Sequence, residues 1–506
     1  MVLKTDQTSA QKDKKIEALE QQVLLLKEAI IRLTQKQFSP SSEKYNPNQA
    51  ELVFDEAENP EVFDDKDEAT ESVELITVPE HQRKKTGRTK IPEHLPRVEV
   101  IYDLDDADKF CDHDGHTLHK IGEEVSEQLE IIPATVQVKR TVRIKYACRQ
   151  CDQGIKTASA PKQPIPKSLA SPSLLAGIVT NKYQDGLPLY RQQAMLKRIG
   201  LDLPRATLAN WMIQCAILLI PLINLLRDKL HESQLIHMDE TPIQVLREPD
   251  KPATSKSYMW LQCSGVHDHP VVLYDYSPTR SGQVPIGLLE GYSGLLQTDG
   301  YAGYHGVVDV NEDLTLLGCW AHARRKFDVV IKANKGLKGA KKSKAERAMK
   351  DIRQLYRIEK QLKGKTPKEI HAMRQEKAKP IIEKLKIWLQ ETKPGITPTS
   401  LMGKALTYLD NQWSYLTAYL DHGAAAIDNN KAERAIRPFV IGRKNWLFAN
   451  SVKGAKASST LYSIVETAKA NNIEPWHYFN HVFKELPNAT TVEEIEALLP
   501  WNVDLK

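Results

Sequence analysis

The chain of 506 residues contains only six cysteines, and of these just Cys148 and Cys151 stand close together. So few thiols in so long a chain exclude a disulfide scaffold and point to a reducing compartment. Long apolar runs are also missing. The longest, AILLIPLINLL from Ala216, is interrupted by Pro221 and falls well short of the roughly 20 residues that span a bilayer. The opening MVLKTDQTSAQKDKK is polar throughout, which predicts no secretory leader. A soluble cytoplasmic protein without membrane contact is therefore expected, with length for about two to four domains.

What is present is segregated charge. The net charge is only +5, yet Glu51 to Glu74 holds eleven acids and one base, whereas Lys332 to Lys386 holds nineteen bases and six acids. Such polarity suits a phosphate-bearing partner, although a lysine-rich solvated helix has the same composition.

Patterning divides the chain. In IEALEQQVLLLKEAIIRL, Ile16, Val23 and Ile30 share one heptad position and Leu19, Leu26 and Leu33 another. β-Branched residues at a and leucine at d favour a two-stranded coiled coil, so residues 1–37 read as a dimerising helix and the protein as a homodimer. Residues 38–95 are rich in Ser, Pro, Asn and acid and close on the basic cluster RKKTGRTK, a composition that buries no core and predicts a linker. Residues 96–160 turn strand-like, with Cys111 and His113 at one end and the CxxC pair Cys148 and Cys151 at the other. That arrangement suits a zinc ribbon. Asp114 stands where a second CxxC would place its thiolate, so Zn²⁺ binding stays open against a ribbon that folds without metal. Residues 161–232 are helical. Within them LPLYRQQAMLKRIGLDLPRATLANWM predicts two helices broken around Gly200 to Leu203, with Pro204 near the first turn of the second. The pair resembles a helix-turn-helix whose second helix would read DNA with Arg205, Thr207 and Asn210.

After Leu235 the pattern changes to strands, LIHMDETPIQV, SYMWLQCSGV and PVVLYDYS, then PIGLLEGY as a helix and SGLLQTDGYAGY as a fourth strand. This order matches the opening of an RNase H-like fold, whose adjacent central strands would bring Asp239 and Asp299 together. Asp275 and Asp268 are rivals that spacing does not eliminate. Paired carboxylates raise each other's pKa unless a cation lies between them, and two Mg²⁺ ions on oxygen ligands are a common device for in-line phosphoryl displacement.

HMDET, LQTDGYAGY, GCWAHARRKF and DNNKAERAIRPFVIGRKNWLFANS, in this order, resemble motifs of the insertion-sequence 66 family of bacterial transposases. The resemblance covers nearly the whole chain, from the leucine-zipper start to the C-terminal LYSIVETAKANNIEP. It implies a DDE transposase, with Asp239, Asp299 and Glu433 as catalytic residues holding Mg²⁺ or Mn²⁺. It also implies binding to terminal inverted repeats and work alongside small accessory proteins of the same element. The family's ribbon commonly begins with CxxC, from which this chain departs at Asp114.

The resulting expectation is a multidomain α+β protein: coiled coil, linker, zinc-ribbon-like module, helical DNA-binding segment, and an RNase H-like α/β core. The core is expected over 233–332 and 421–455, split by a basic helical insertion over 333–420 and followed by a C-terminal helical element over 456–506. In CWAH, Cys319 and His322 make two ligands, too few for zinc, so packing around the core is expected of them. Arg324, Arg325, Arg434, Arg437, Arg443 and Lys444 are candidate phosphate contacts. In AAIDNNKAERAIRPF, Asp428 is expected to cap a short helix carrying Glu433, and Pro438 to kink or end it. A structure-selective nuclease on the same core, or a non-catalytic DNA-binding regulator, are the rival functions. A nuclease yields no joined products, and a regulator shows no Mg²⁺-dependent cleavage.

Overall fold

The structure, a computed structural model, describes residues 155–265, 269–334 and 343–505 continuously, with short stretches between 97 and 147. The heptad helix, the linker, and Cys111, His113, Cys148 and Cys151 lie outside the described residues. The chain divides into two compact units, and the larger contains Arg143–Lys506 and every element named below. Strands β1 (Lys145–Ala147) and β2 (Ile155–Thr157) pair antiparallel and flank the CxxC segment.

Four helices follow: α1 (Pro172–Tyr183), α2 (Leu189–Arg198), α3 (Arg205–Leu218) and α4 (Ile220–His231). Ser171 caps α1 by accepting the Leu174 N–H at 3.3 Å. Gly200, at φ +87°, turns the chain between α2 and α3 as its sequence suggested. Pro221 falls in the first turn of α4, where its missing N–H costs nothing, so the longest apolar run becomes two helices bent by 51°. Leu208, Trp211, Leu222 and Leu226 are buried in the main core. Among the described residues no single helix is long and apolar enough to cross a membrane.

The central sheet comprises β3 (Leu235–Arg247), β4 (Lys256–Ser264), β5 (Val272–Ser277), β6 (Gly294–Gln297) and β7 (Leu314–Leu317), in the order β5-β4-β3-β6-β7. The first three run antiparallel, and β6 and β7 lie parallel to β3. Short helices α5 (Gln283–Leu288) and α6 (His305–Val310) make the crossovers, and α7 (Trp320–Asn334) follows β7. Strand β3 is long enough to serve two neighbours on one edge. It pairs with β6 up to His237 and, from Val245, with β8 (Ala449–Ser451). The backbone between those points faces a gap.

Helices α8 (Lys344–Gln361), α9 (Pro367–Met373), α10 (Lys379–Thr392), α11 (Leu401–Asn411) and α12 (Trp413–Thr417) form the insertion. Capping boxes at Ser343/Glu346 and Thr366/Glu369 start α8 and α9. Their apolar faces build a second core around Phe327, Leu355, Trp388 and Leu406, which reaches the sheet at Leu235, Leu295 and Leu317. The chain returns through α13 (Asn430–Trp446), β8, α14 (Val452–Ala470), α15 (Pro475–Glu485) and α16 (Val492–Glu496). Helix α14 covers the sheet's exposed edge. Tyr274 and Val272 of β5 donate their N–H groups to Ser463 Oγ at 2.7 Å and Thr467 Oγ1 at 3.0 Å, which satisfies an edge strand without another strand.

One buried cation ties the insertion to the returning chain. Arg374, 2% exposed, sits in a π-helical turn, Arg374–Ala378. It donates to both oxygens of Glu359 at 2.8 and 2.6 Å and to the carbonyls of Tyr419, His422 and Ala425 at 2.9, 2.7 and 2.9 Å. Those carbonyls lead into α13. Replacing Arg374 by Ala leaves a carboxylate and three carbonyls without their donor, and is expected to lower the unfolding free energy by about 3–5 kcal/mol in denaturant titration; a change below about 1 kcal/mol would contradict this account.

Candidate active site

Asp239 lies where β3 outruns β6. The parallel register pairs His237 with Gln297, and continuing it two residues sets Asp239 opposite Asp299 across one interstrand spacing. Glycine is required after Asp299. Gly300 has φ +89°, and a Cβ there would lie 2.9 Å from Gln412 Oε1. Helix α11 supports the same turn, with Tyr408 donating its hydroxyl to the Asp299 carbonyl at 3.0 Å. Asp299 Oδ1 accepts the Tyr301 N–H at 2.8 Å.

The third carboxylate arrives on α13, whose entry is held by Asn429. This buried side chain donates through Nδ2 to the Met238 carbonyl at 2.8 Å and accepts at Oδ1 from His237 Nδ1 at 3.0 Å. Its backbone N–H reaches Cys319 Sγ at 3.2 Å. One residue thus joins β3, the start of α7 and the first turn of α13. Asp428 accepts the Asn430 N–H at 3.2 Å and the Tyr356 hydroxyl at 2.9 Å. The cap position itself belongs to Asn429, whose side chain makes no capping bond. Nor does Pro438 end the helix, which runs through it to Trp446. Phe439 packs on Tyr274, Tyr462 and Trp446, and the Tyr274 hydroxyl donates to the Ala435 carbonyl, so tertiary packing outweighs the break.

Glu433 projects from the first turn of α13. Arg325 Nη2 donates to its Oε2 at 3.3 Å, and His322 Nδ1 stands 3.5 Å from Oε1. The ligand atoms of Cys319, His322 and Glu433 lie within 4.8 Å of one another. Cys319, however, is buried and already accepts the Asn429 N–H, and burial pushes its thiol far above the usual range. The packing role expected of CWAH is the one its contacts show.

Burial, and then the charges of Glu240, Asp299 and Glu433, hold the Asp239 carboxyl well above the ordinary carboxylate range, against a partly opposing bond from the Glu240 N–H. Asp299 in the turn after β6 and Glu433 on α13 therefore both bear on the Asp239 carboxyl of β3. Their oxygen donors fit a hard divalent cation. Asp275, the rival on β5, is ion-paired with Arg227 at 2.7 Å, and Asp268 lies outside the described residues.

Residues 167–457, more than half the chain, match the model described as Transposase IS66 family. The chain belongs to that family. Residues 108–152 match the zinc-finger binding domain of transposase IS66, 463–501 the IS66 C-terminal element, and 25–100 Transposase C of IS166 homeodomain. Two similar proteins come from Sinorhizobium fredii. Uncharacterized protein y4jD is 33% identical over 425 residues, covering 81% of each chain, and uncharacterized protein y4hP is 30% identical over 467 residues, covering 90% of this chain and 84% of its own. No solved structure matches.

The candidate DNA-contacting residues fall into two groups. Arg205, Asn210, Arg434 and Lys444 are exposed. Arg325 is engaged with Glu433, Arg324 lies over the Tyr356 ring at 5.5 Å, and Arg437 is half-buried. Arg443 reaches into the gap along β3, donating to Thr241 Oγ1 at 2.9 Å and to the Pro242 carbonyl. Motif reading had no signal for Asn429 beyond a helix start, nor for His237 or Glu240. Glu240 points away from Asp239, as alternate strand residues do; it accepts from Tyr304 at 2.6 Å and from Arg280 Nε at 2.8 Å.

Asn429→Ala should cost about 1–3 kcal/mol for each buried group left unpaired, read by denaturant unfolding; a neutral substitution would remove Asn429 from this role. Burial lowers the His237 pKa from 6.5 to about 4. Its contribution to stability is complete above pH 6.5 and is lost as pH falls toward about 4, because the unfolded chain takes up the proton first. Unfolding free energies measured across that window should fall less steeply in His237→Asn than in the parent, and equal slopes would refute the assignment.

Proposed function

We propose that this protein is a DDE transposase with an RNase H-like catalytic core, cutting the ends of its element and joining them to target DNA. What supports this reading is that Asp299 and Glu433, both far from Asp239 in sequence, lie near enough for their charges to raise the pKa of the buried Asp239 carboxyl. Three antiparallel strands followed by two parallel ones, with the acids on β3 and after β6, support the core assignment. Asp239, Asp299 and Glu433 hold the divalent metal, Mg²⁺ or Mn²⁺, which when bound supplies Lewis-acid activation of an attacking oxygen and stabilises the leaving one.

The chain's own residues do the rest. Asn429 and Arg374 keep the Glu433 helix in register with β3. Arg325 and His322 hold the Glu433 carboxylate. Exposed Arg434 and Lys444 on α13 contact phosphates, and Arg205 and Asn210 on α3 read the inverted repeat in a helix-turn-helix manner. Lys350, Arg353, Arg357 and Lys360 lie along one exposed side of α8, a basic stripe on the insertion that suits the backbone of the element's end. The N-terminal heptads make the dimer, Cys111, His113, Cys148 and Cys151 are the zinc ligands of the ribbon, and small proteins of the same element assist. Association with chromosomal DNA follows from this role.

A labelled element end incubated with a plasmid target and Mg²⁺ should yield cut ends and covalent joint products. Asp239→Asn, Asp299→Asn or Glu433→Gln should each reduce both by more than the ~10–100-fold typical of an outer-shell change, with end binding retained. A triad variant cutting at the parent rate would overturn the assignment, and cutting without joining would instead identify a nuclease.

A further inference from the structure

Arg280, in the SPTRSG turn after β5, belongs to no motif used so far, yet several contacts hold it beside Glu240. Its guanidinium lies 3.8 Å from the centroid of the Tyr301 ring on one side. Through Nε, at 2.8 Å, and Nη2 it donates to Glu240 Oε1. The Glu240 side chain is 1% exposed and that of Arg280 40%, so the pair has a buried anchor and an open head. The turn is fastened from its other end as well. Tyr301 donates its hydroxyl to the Arg280 carbonyl at 2.7 Å, and a Cβ on Gly282 would lie 2.8 Å from the Gly303 carbonyl oxygen. Tyr301 follows Asp299 by two residues, so the clamp and the acid share one turn. Nη1 has no hydrogen-bond partner among the described residues.

This arrangement differs from a simple counter-ion. A lysine or a mobile arginine would neutralise Glu240 equally well, without aromatic stacking and without a second turn stapled beneath it. A planar guanidinium whose Nε and Nη2 are occupied by a buried carboxylate, and whose Nη1 edge remains open, is pre-oriented to receive one further anionic oxygen. It stands beside Glu240 and the turn that carries Asp299 and Tyr301. Arg325 and Arg443, the cations motif reading favoured near the site, are bound to Glu433 and to the β3 backbone instead.

We propose that Arg280 is a DNA-binding residue that contacts, through Nη1, a single non-bridging phosphate oxygen of the strand cut at this site. This rests on the transposase reading given above. Tyr301, Glu240 and Tyr304 are its positioning residues. The contact supplies a fixed positive group beside the turn that carries Asp299.

The test uses the full-length protein and labelled end duplexes, each carrying one uncharged methylphosphonate at a different position around the cut. With the parent protein, one position should slow single-turnover cleavage by about 10- to 100-fold, the size of one charge-assisted hydrogen bond. Arg280→Met should slow cleavage of the unmodified duplex to a similar degree and lose nothing further at that position, while still losing at others. The salt dependence of its end binding should become shallower by about one unit of slope. Full additional loss at every position would overturn the proposal. So would recovery of the parent rate in Glu240→Gln/Arg280→Met, since Arg280 would then serve only to neutralise Glu240. Should Arg280→Met fail to fold, Arg280→Lys keeps the charge against Glu240 and is expected to show the same non-additivity. Asp239→Asn run in parallel separates the two ideas: unimpaired cleavage there overturns the transposase reading, whereas its loss with additive Arg280 penalties overturns only the phosphate contact.

Discussion

A single buried amide, that of Asn429, holds the architecture of the site together. Its Nδ2 and Oδ1 are both spent on β3, at Met238 and His237, and its N–H on Cys319. An amide can satisfy a carbonyl and a ring N–H at once only in one orientation, so the strand carrying Asp239 and the helix carrying Glu433 have one register relative to each other. The cost of leaving such buried groups unpaired makes the arrangement close to all-or-none. Burial keeps the His237 ring neutral to about pH 4, with its Nδ1–H still donated to Asn429.

Around that fixed frame the electrostatics are deliberately unbalanced. Glu240, Asp299 and Glu433 all place negative charge on the buried Asp239 carboxyl. Each cation nearby has a distinct attachment: Arg325 on Glu433, Arg280 on Glu240, Arg443 on the unpaired edge of β3. Asp239, buried and then surrounded by the charges of Glu240, Asp299 and Glu433, resists ionisation. Mutual repulsion among buried carboxylates is what a bound divalent cation relieves.

The gap in which this happens is a product of strand lengths. β6 stops at Gln297 and β8 begins at Ala449, leaving the middle of the 13-residue β3 without a strand on that edge. Ligands commonly bind where neighbouring strands diverge in this way. The insertion fits the same logic. It leaves after α7, builds its own core, and returns through carbonyls gripped by Arg374, so its large basic surface hangs from the site without disturbing the sheet.

Much of this was legible in the chain. Alternating apolar residues marked β3, β4 and β5, and the step from LQT into Asp-Gly placed Asp299 at a strand end. Heptad-free 3.6 periodicity marked α8 and α10, and the Gly200 break separated α2 from α3. These are local matters, settled by side-chain period and backbone freedom. Short segments such as β7 and β8 carried too little pattern to be seen, and Pro438 does not end its helix because packing of Phe439 and Tyr274 offsets the local cost. Which acids meet, which arginines are occupied, and that Asn429 and Arg280 matter at all were decided only by tertiary structure. The reason is physical: a residue's type fixes the bonds it can make, but which partner lies within about 3 Å depends on segments far away in sequence.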